Sequence, residues 1–471
     1  MTMIAVVLLL YSSLLFAVSR LTQRRSTNDT FFRAERRSPW YMVAFGMVGA
    51  SISGVTFVSV PGMVLHSQMT YLQLCLGFIL GYVMVAFVLL PLYYKLNLTS
   101  IYTYLGQRLG QRSYQTGAWF FLVSKMIGSA VKFYVVCLIL QQFVFDELGI
   151  PFVVNVVAMV LAIWLYTRKG GVRTLVFTDT IQTLCLLTSL FLIIYIVVDS
   201  LGLTVAESVK TIIDDERSRI FVFDNFSSQN FWKMFFSGAF IVVAMTGLDQ
   251  DMMQKNLTCK NLREAQKDMC TYGLAFVPVN LLFLSLGILL AQYFQANEMA
   301  LPMQGDRLLP LFVEKVSQSQ FLQPLFTLGI VAASFSSADS ALTSLTTSYC
   351  VDIRHRMDDE TLRKRAHLMI CLLFVVCIMS FHLVNSKSLI DAIYTIVSYT
   401  YGPLLGLFAF GLFTKKAVND RWVPLVCMAS PVICYILDKC YSCMVGMPMG
   451  YELLLINGAF TFIGLWLLRR K

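Results

Sequence analysis

The sequence contains few charged residues and very little histidine. Only 14% of its 471 residues are charged, four are histidine, and 57% are hydrophobic. A soluble protein of this length needs more polar surface than such a composition supplies, so the composition excludes a large soluble domain. The histidines are scattered and form no metal-binding pattern, and the sequence has no nucleophile–base pair. We therefore do not expect an enzyme.

The twelve cysteines indicate neither a disulfide framework nor a zinc site. Most of them lie inside apolar segments, where a cysteine behaves as a small hydrophobic side chain. The cysteine pattern therefore predicts buried, unpaired thiols.

The apolar residues are concentrated in thirteen runs, each of a length suited to a helix that crosses a bilayer. These runs cover about residues 3–20, 42–65, 71–94, 117–145, 151–167, 175–198, 231–252, 270–294, 321–350, 367–385, 389–413, 421–438 and 451–468. The sequence therefore predicts an all-α, multi-pass protein of the plasma (inner) membrane.

The basic residues predict the orientation of these helices. If the segment after the first helix is cytoplasmic, the alternating inside segments hold 27 of the 37 lysines and arginines. This bias places the N-terminus outside and the C-terminus inside. It also explains the net charge of +10 through contact with an anionic leaflet, without nucleic acid. Arg20, Arg24 and Arg25 follow the first apolar run, as expected for an uncleaved anchor with its N-terminus outside.

Two of the predicted helices contain glycine residues, and one of them also contains a proline, at positions that disfavour a continuous helix. Helix 42–65 includes Gly49, Gly54 and Pro61, and helix 231–252 includes Gly247. Each begins a block of five helices, and an odd number of spans gives the two blocks opposite orientations. We expect inverted repeats at 42–198 and 231–413 within a transporter core, preceded by an accessory segment at 1–41. Two accessory helices are expected in 414–471.

A line of hydroxyl groups runs along helix 321–350. Ser336, Ser340, Ser344 and Thr347 recur every three or four residues and so share one face. Such hydroxyls, together with carbonyls released by a broken helix, supply the oxygen ligands that sodium requires. Close helix packing also uses small residues at this spacing, so the pattern alone leaves both interpretations open.

Four ionisable residues lie inside apolar segments, namely Asp179, Asp339, Lys125 and Lys132. A carboxylate at membrane depth costs about 2.5–3.5 kcal/mol, which makes each a candidate for a functional site. Asp179 could instead extend to the cytoplasmic interface near Arg173. The two lysines stand two helical turns apart, and they could either contact a substrate or neutralise Asp179 or Asp339.

Five further segments carry a recognisable pattern: GASISGVTFVSVPG (49–62), GGVRTLVFTDTIQ (170–182), GLDQDMMQKNLTCKNLREAQKDM (247–269), AASFSSADSALTSLTTSYCVDI (332–353) and YGPLLGLFAFGLFTKK (401–416). In these segments the chain resembles the sodium:solute symporter family, whose members carry sugars, sialic acid, proline or iodide with sodium and share the LeuT-like fold. The resemblance extends over about residues 42–416 and implies the LeuT-like fold.

The resemblance also implies ion and solute sites. The main sodium site falls on the carbonyls of Gly49, Ile52 and Ala333 and on the hydroxyls of Ser336 and Ser337. A second sodium site falls on Asp179, Ser336, Asp339 and Ser340, although Asp339 replaces a serine of the sialic acid carriers. The solute positions are Ser51, Ser53, Thr56 and Gln73, with Lys125 or Lys132 opposite a substrate carboxylate. Val242 and Met245 replace the asparagine and tyrosine of galactose carriers.

The expected function is therefore sodium-coupled symport of a small polar solute, either sialic acid or sugar-like or another organic anion. The alternatives are a channel or a transporter-like sensor without coupled transport. The sequence has no repeated filter loop of the kind a channel needs. Few residues follow the last apolar run, which speaks against an output domain of a sensor.

Overall fold

The computed structural model describes residues 2–23, 27–146, 148–224, 227–315, 321–384, 389–445, 449–450 and 452–470. Helices make up the regular structure of these residues, and their only strand-like pairings are two isolated bridges, Ser38 with Cys259 and Val418 with Arg469. Arg24 and Arg25, as well as positions 385 and 451 of the predicted helices, lie outside the described residues.

Fifteen helices of the described chain carry the architecture. They are α1 (Thr2–Thr22), α2 (Trp40–Ser51), α3 (Gly54–Ser67), α4 (Tyr71–Lys95), α5 (Gln111–Phe145), α6 (Phe152–Thr167), α7 (Val172–Ser200), α8 (Phe231–Gly247), α9 (Gln250–Asn256), α10 (Leu262–Ala296), α11 (Leu322–Ile353), α12 (Glu360–Val384), α13 (Leu389–Phe413), α14 (Val423–Val445) and α15 (Leu453–Leu467). Short helices lie in the connections, at Asn28–Arg33, Thr103–Arg108, Val205–Asp214 and Leu308–Lys315, together with 3₁₀ turns at Ala34–Arg36, Glu216–Ser218 and Gly305–Arg307.

At least one of these helices lies along each predicted apolar run, and several helices extend beyond the ends of their run. α5 begins at Gln111 rather than 117, and α10 begins at Leu262 rather than 270. Backbone hydrogen bonds continue the helix into polar sequence, and the side chain of Asn261 caps α10 by accepting from the Glu264 amide. Among the described residues, eight helices are long and apolar enough to cross a membrane, or ten if each bent pair counts as one.

Both predicted helix breaks are present. α2 and α3 meet at 64°, and α8 and α9 meet at 72°. Ile52 leaves the helical region, with φ −84° and ψ 98°, and the Ser53 side chain accepts from the Thr56 amide to start α3. The Asp249 side chain likewise accepts a hydrogen bond from the Asp251 amide at the start of α9. The breaks fall at 52–53 and 248–249. Pro61 does not form a break, since it lies inside α3.

The first half of the first broken pair, α2, packs against α7, and α7 in turn packs against α11. Glycines in α2 permit this close approach. A Cβ on Gly46 would lie 2.9 Å from the Cβ of Asp179, and one on Gly49 would overlap the Thr183 side chain. α11 is the most buried span, with 83% of its apolar window inside the protein. The hydroxyl line therefore lies at the centre of the bundle.

All twelve cysteines are unpaired; seven are buried, three are half-buried and two are exposed. Cys440 and Cys443 are exposed and stand three residues apart near the end of α14. The expectation of buried thiols is thus wrong for this pair, because α14 lies at the periphery of the bundle, where only 22% of its apolar window is covered.

Candidate substrate cavity and sodium site

A cavity of about 180 Å³ lies between the two helix breaks. The polar residues that line it come from nine helices and from both helix breaks: Ser51, Ser53, Thr56, Tyr71, Tyr82, Ser124, Lys125, Ser129, Lys132, Thr246, Asp249, Asp251, Tyr272, Ser337 and Tyr401. Five of the six predicted solute residues are among them, and so is Ser337 of the predicted sodium site.

The hydroxyl groups on the α2 side of the cavity belong to a hydrogen-bonded set. Ser51 and Tyr272 share a hydrogen bond, and the Tyr82 hydroxyl donates to that of Tyr272 at 2.8 Å. Ser53 and Thr56 contact each other through their hydroxyls at 3.3 Å. The set joins the broken helix to α4 and α10, so a molecule in the cavity would meet oriented rather than freely rotating hydroxyl groups.

Lys125 forms an ion-paired group with the second helix break. Its Nζ lies 3.1 Å from Asp249 Oδ2 and 2.7 Å from Asp251 Oδ2. The Tyr401 hydroxyl donates to the same oxygen of Asp249 at 2.6 Å. The sequence offered Asp179 or Asp339 as partners, and for Lys125 this is wrong, because α5 packs beside the start of α9.

Lys132 stands two turns further along α5 and also lines the cavity. Within the described part of the chain it forms neither an ion pair nor a hydrogen bond. The helical rise places it about 10 Å from Lys125 along the axis. Lys132 is therefore the lysine whose ammonium group is available to a ligand in this cavity.

Gln73 is not part of the cavity lining. It is fully buried, its Nε2 donates to the Gln229 carbonyl at 2.9 Å, and its Oε1 accepts from the Val222 amide at 3.1 Å. The prediction that it contacts solute is not supported by this position. Its side chain instead holds the segment between α7 and α8 against α4.

The predicted main sodium site lies where α2 ends beside α11. The hydroxyl of Ser337 donates to the Ala50 carbonyl at 2.9 Å, so hydroxyls of α11 lie next to carbonyls of the break. The last carbonyls of a helix have no intrahelical donor, which leaves those around Gly49 free to bind a cation. Ala333, one turn before Ser337, is also buried at this junction. The residues present thus fit a small monovalent cation with oxygen ligands.

Asp179 is fully buried beside this junction and is paired inside the protein. Lys255 Nζ lies 2.7 Å from its Oδ2, and the Ser336 hydroxyl donates to its Oδ1 at 2.8 Å. Arg173, the suggested interfacial neighbour, instead pairs with Glu35 at 3.6 Å. The interpretation of Asp179 as a group that reaches the cytoplasmic interface is therefore wrong.

Asp339 is buried on the same side of α11. The Tyr166 hydroxyl donates to its Oδ2 at 2.6 Å, and the Ser340 hydroxyl donates to its Oδ1 at 3.3 Å. The residues suggested for a second sodium site therefore adjoin one another along α7 and α11, with Ser336 as their common neighbour.

Four functional candidates were absent from the sequence interpretation: Asp249, Asp251, Lys255 and Tyr272. The first three stand within GLDQDMMQK, where charged residues follow an apolar helix directly. Lys255 follows the apolar run 231–252 and is among the basic residues assigned to the inside segments, although it is 2% exposed. The visible signal was the pair of aspartates next to Gly247 in a helix already expected to break. Tyr272 carried no comparable signal.

The chain is similar to known sodium-coupled transporters. The sequence matches the sodium:solute symporter family over residues 31–421. It is 26% identical to the sodium/sialic acid symporter NanT of Aliivibrio fischeri, over 87% of this chain and 83% of that protein. It is 25% identical to the sodium/sialic acid symporter SiaT of Proteus mirabilis, over 84% and 81%.

One solved structure shares the fold along nearly the whole chain. It is the substrate-bound, outward-open state of a sodium-coupled sialic acid symporter, with a TM-score of 0.83 and 22% identity. The match covers 99% of this chain and 97% of that one.

Proposed function

Because this chain belongs to the sodium:solute symporter family, we propose that it imports a small organic anion with sodium by alternating access. The chain is a sodium-coupled symporter for a small organic solute. The observation that supports an anion is the unpaired ammonium group of Lys132 in the cavity. A lysine held without a partner in apolar surroundings is costly, and a substrate carboxylate would remove that cost.

The proposed sodium ligands are the carbonyls of Gly49, Ile52 and Ala333 and the hydroxyls of Ser336 and Ser337. These residues belong to α11 and to the end of α2 with its break. A cation between them would hold the two elements together and favour one orientation of the cavity. Solute binding next to the same break would then permit the opposite orientation. Sodium and solute would thereby be bound and released together.

The proposed solute ligands are Lys132 at one side and Ser51, Ser53 and Thr56 at the other. Lys125 contributes through Asp249 and Asp251 rather than through direct contact. Val242 and Met245 also line the cavity and supply apolar surface. A solute with a carboxylate, several hydroxyls and an apolar face suits this lining, and a sialic acid has those groups.

We extend the proposal to the position of the chain in the membrane. Thirteen spans would leave the N-terminus outside and the C-terminus inside, as the basic residues indicate. Residues 1–41 and 414–471 would flank a core at 42–413 with inverted repeats at 42–198 and 231–413. Each repeat begins with one of the bent pairs. The location would be the plasma (inner) membrane.

Uptake into proteoliposomes tests this function. Labelled sialic acid and smaller carboxylates should accumulate above the outside concentration only with an inward sodium gradient. Lys132→Met should weaken the apparent solute affinity by about tenfold or more, since a charged hydrogen bond contributes roughly 1.5–3 kcal/mol. Lys132→Arg keeps the charge and should retain part of that affinity.

The outcome also separates the alternative functions. A channel would equilibrate the solute without accumulation, and a sensor would bind it without flux. Normal affinity in Lys132→Met would remove this lysine from the solute site and favour a neutral solute.

A further inference from the structure

The ion pair between Lys255 and Asp179 lies at a carboxylate that the family resemblance assigns to a second sodium site. The Lys255 ammonium lies 2.7 Å from Asp179 Oδ2, and the Ser336 hydroxyl occupies Oδ1. Asp179 and Lys255 are 1% and 2% exposed. One carboxylate oxygen therefore accepts a hydrogen bond, and the other lies against a full positive charge.

We infer that Lys255 is a built-in cation at Asp179, so that each transport cycle couples a single sodium ion to one solute. The inference rests on the proposed sodium-coupled function and concerns only its stoichiometry. A lysine ammonium is a compact monovalent charge, as sodium is, and it satisfies the same carboxylate. A sodium ion at Asp179 would have to displace Lys255 or lie beside its charge in a dry interior.

The lysine is held in this position by its helix. α9 is buried along its whole length, and the neighbouring side chains are anchored: Gln254 donates to Thr347 Oγ1 at 2.8 Å and Asn256 donates to the Ala265 carbonyl at 3.0 Å. The ammonium group therefore has no nearby solvent to move into. Because α9 follows the second helix break, the ion pair also links that break to α7.

The other carboxylate of this region, Asp339, has neutral donors only in the described chain. These are the hydroxyls of Tyr166 and Ser340. It is the remaining position at which a second sodium could bind, and any test has to separate it from Asp179.

Direct counting of bound sodium tests the inference without relying on transport. Purified wild-type protein should bind one labelled sodium ion per chain at saturation. Lys255→Gln should bind two, because the freed Asp179 becomes a sodium ligand. The double variant Lys255→Gln/Asp179→Asn should return to one. Sodium-to-solute flux ratios in proteoliposomes should change in the same way, from one to two and back to one.

Two results would overturn the inference. Two sodium ions in the wild type would do so directly, and a loss of one of them in Asp339→Asn would locate the second ion at that carboxylate. A folded Lys255→Gln variant that binds one sodium would also contradict it. If Lys255→Gln fails to fold, the number of sodium ions bound per wild-type chain still tests the inference. Absence of sodium-dependent uptake would refute the transport proposal, whereas sodium-dependent uptake by a protein that binds two sodium ions would refute only the stoichiometry.

Discussion

The Lys125 ammonium lies 2.7 Å from the Asp251 carboxylate, and this contact joins α5 to the second half of a broken helix pair. Asp249 completes the group and is also held by Tyr401 of α13. The group of Lys125, Asp249 and Asp251 therefore connects α5, α9 and α13 beside the cavity.

Replacement of Lys125 should therefore destabilise the protein more than it alters solute selectivity. Lys125→Met leaves two buried carboxylates without their cation, a change that typically costs about 3–5 kcal/mol. We expect a clear drop in the unfolding temperature of the purified protein and poor membrane yield. Lys125→Arg, which keeps the charge, is the matched control. Normal stability of Lys125→Met would show that the aspartates have another cationic partner.

Loss of the hydroxyl at Ser337 should weaken sodium binding. Ser337→Ala is expected to raise the sodium concentration for half-maximal uptake about tenfold, since about 1.4 kcal/mol corresponds to that factor. Ser334→Ala provides a control on the same helix, because the Ser334 hydroxyl donates to the Ile330 carbonyl within α11. Sodium titrations of uptake measure both. An identical sodium dependence in the two variants would assign the hydroxyl line to helix packing.

A methyl group at Gly49 should disturb the contact between α2 and α7. Gly49→Ala would place its Cβ against the Thr183 side chain, and such overpacking typically costs about 1–3 kcal/mol. Gly128→Ala is the control, since a Cβ there meets nothing within 4 Å. In that open position alanine should raise stability by about 0.5–1 kcal/mol. Thermal unfolding in detergent compares the two, and equal stability would mean that α2 can shift away from α7.

Gln73 should matter for stability and not for solute affinity. Gln73→Leu removes the partners of the Val222 amide and the Gln229 carbonyl, which costs about 1–3 kcal/mol when such groups stay buried. The apparent solute affinity should stay within about twofold of wild type, whereas Lys132→Met should lower it strongly. A large loss of affinity in Gln73→Leu with unchanged stability would restore Gln73 to the solute site.

Much of the architecture followed from local properties of the chain. The length of each apolar run predicted where helices lie, because only a helix satisfies its own backbone groups in lipid. Gly49, Gly54 and Gly247 predicted which two helices would break, because glycine tolerates the departure from helical geometry. The spacing of Ser336, Ser340 and Ser344 predicted a shared face. These are relations among residues that are close in sequence.

The partners of the buried charges were decided only by the tertiary structure. Lys125 and Asp249 are separated by 124 residues, and Gln73 and Gln229 by 156. No spacing rule connects such residues, since their contact depends on which helices pack together and at what rotation. The sequence alone identified Asp179 and Lys125 as costly charges that need partners. Only the tertiary position of the second helix break and α9 determined that Lys125 pairs with Asp249 and Asp251, and that Asp179 pairs with Lys255.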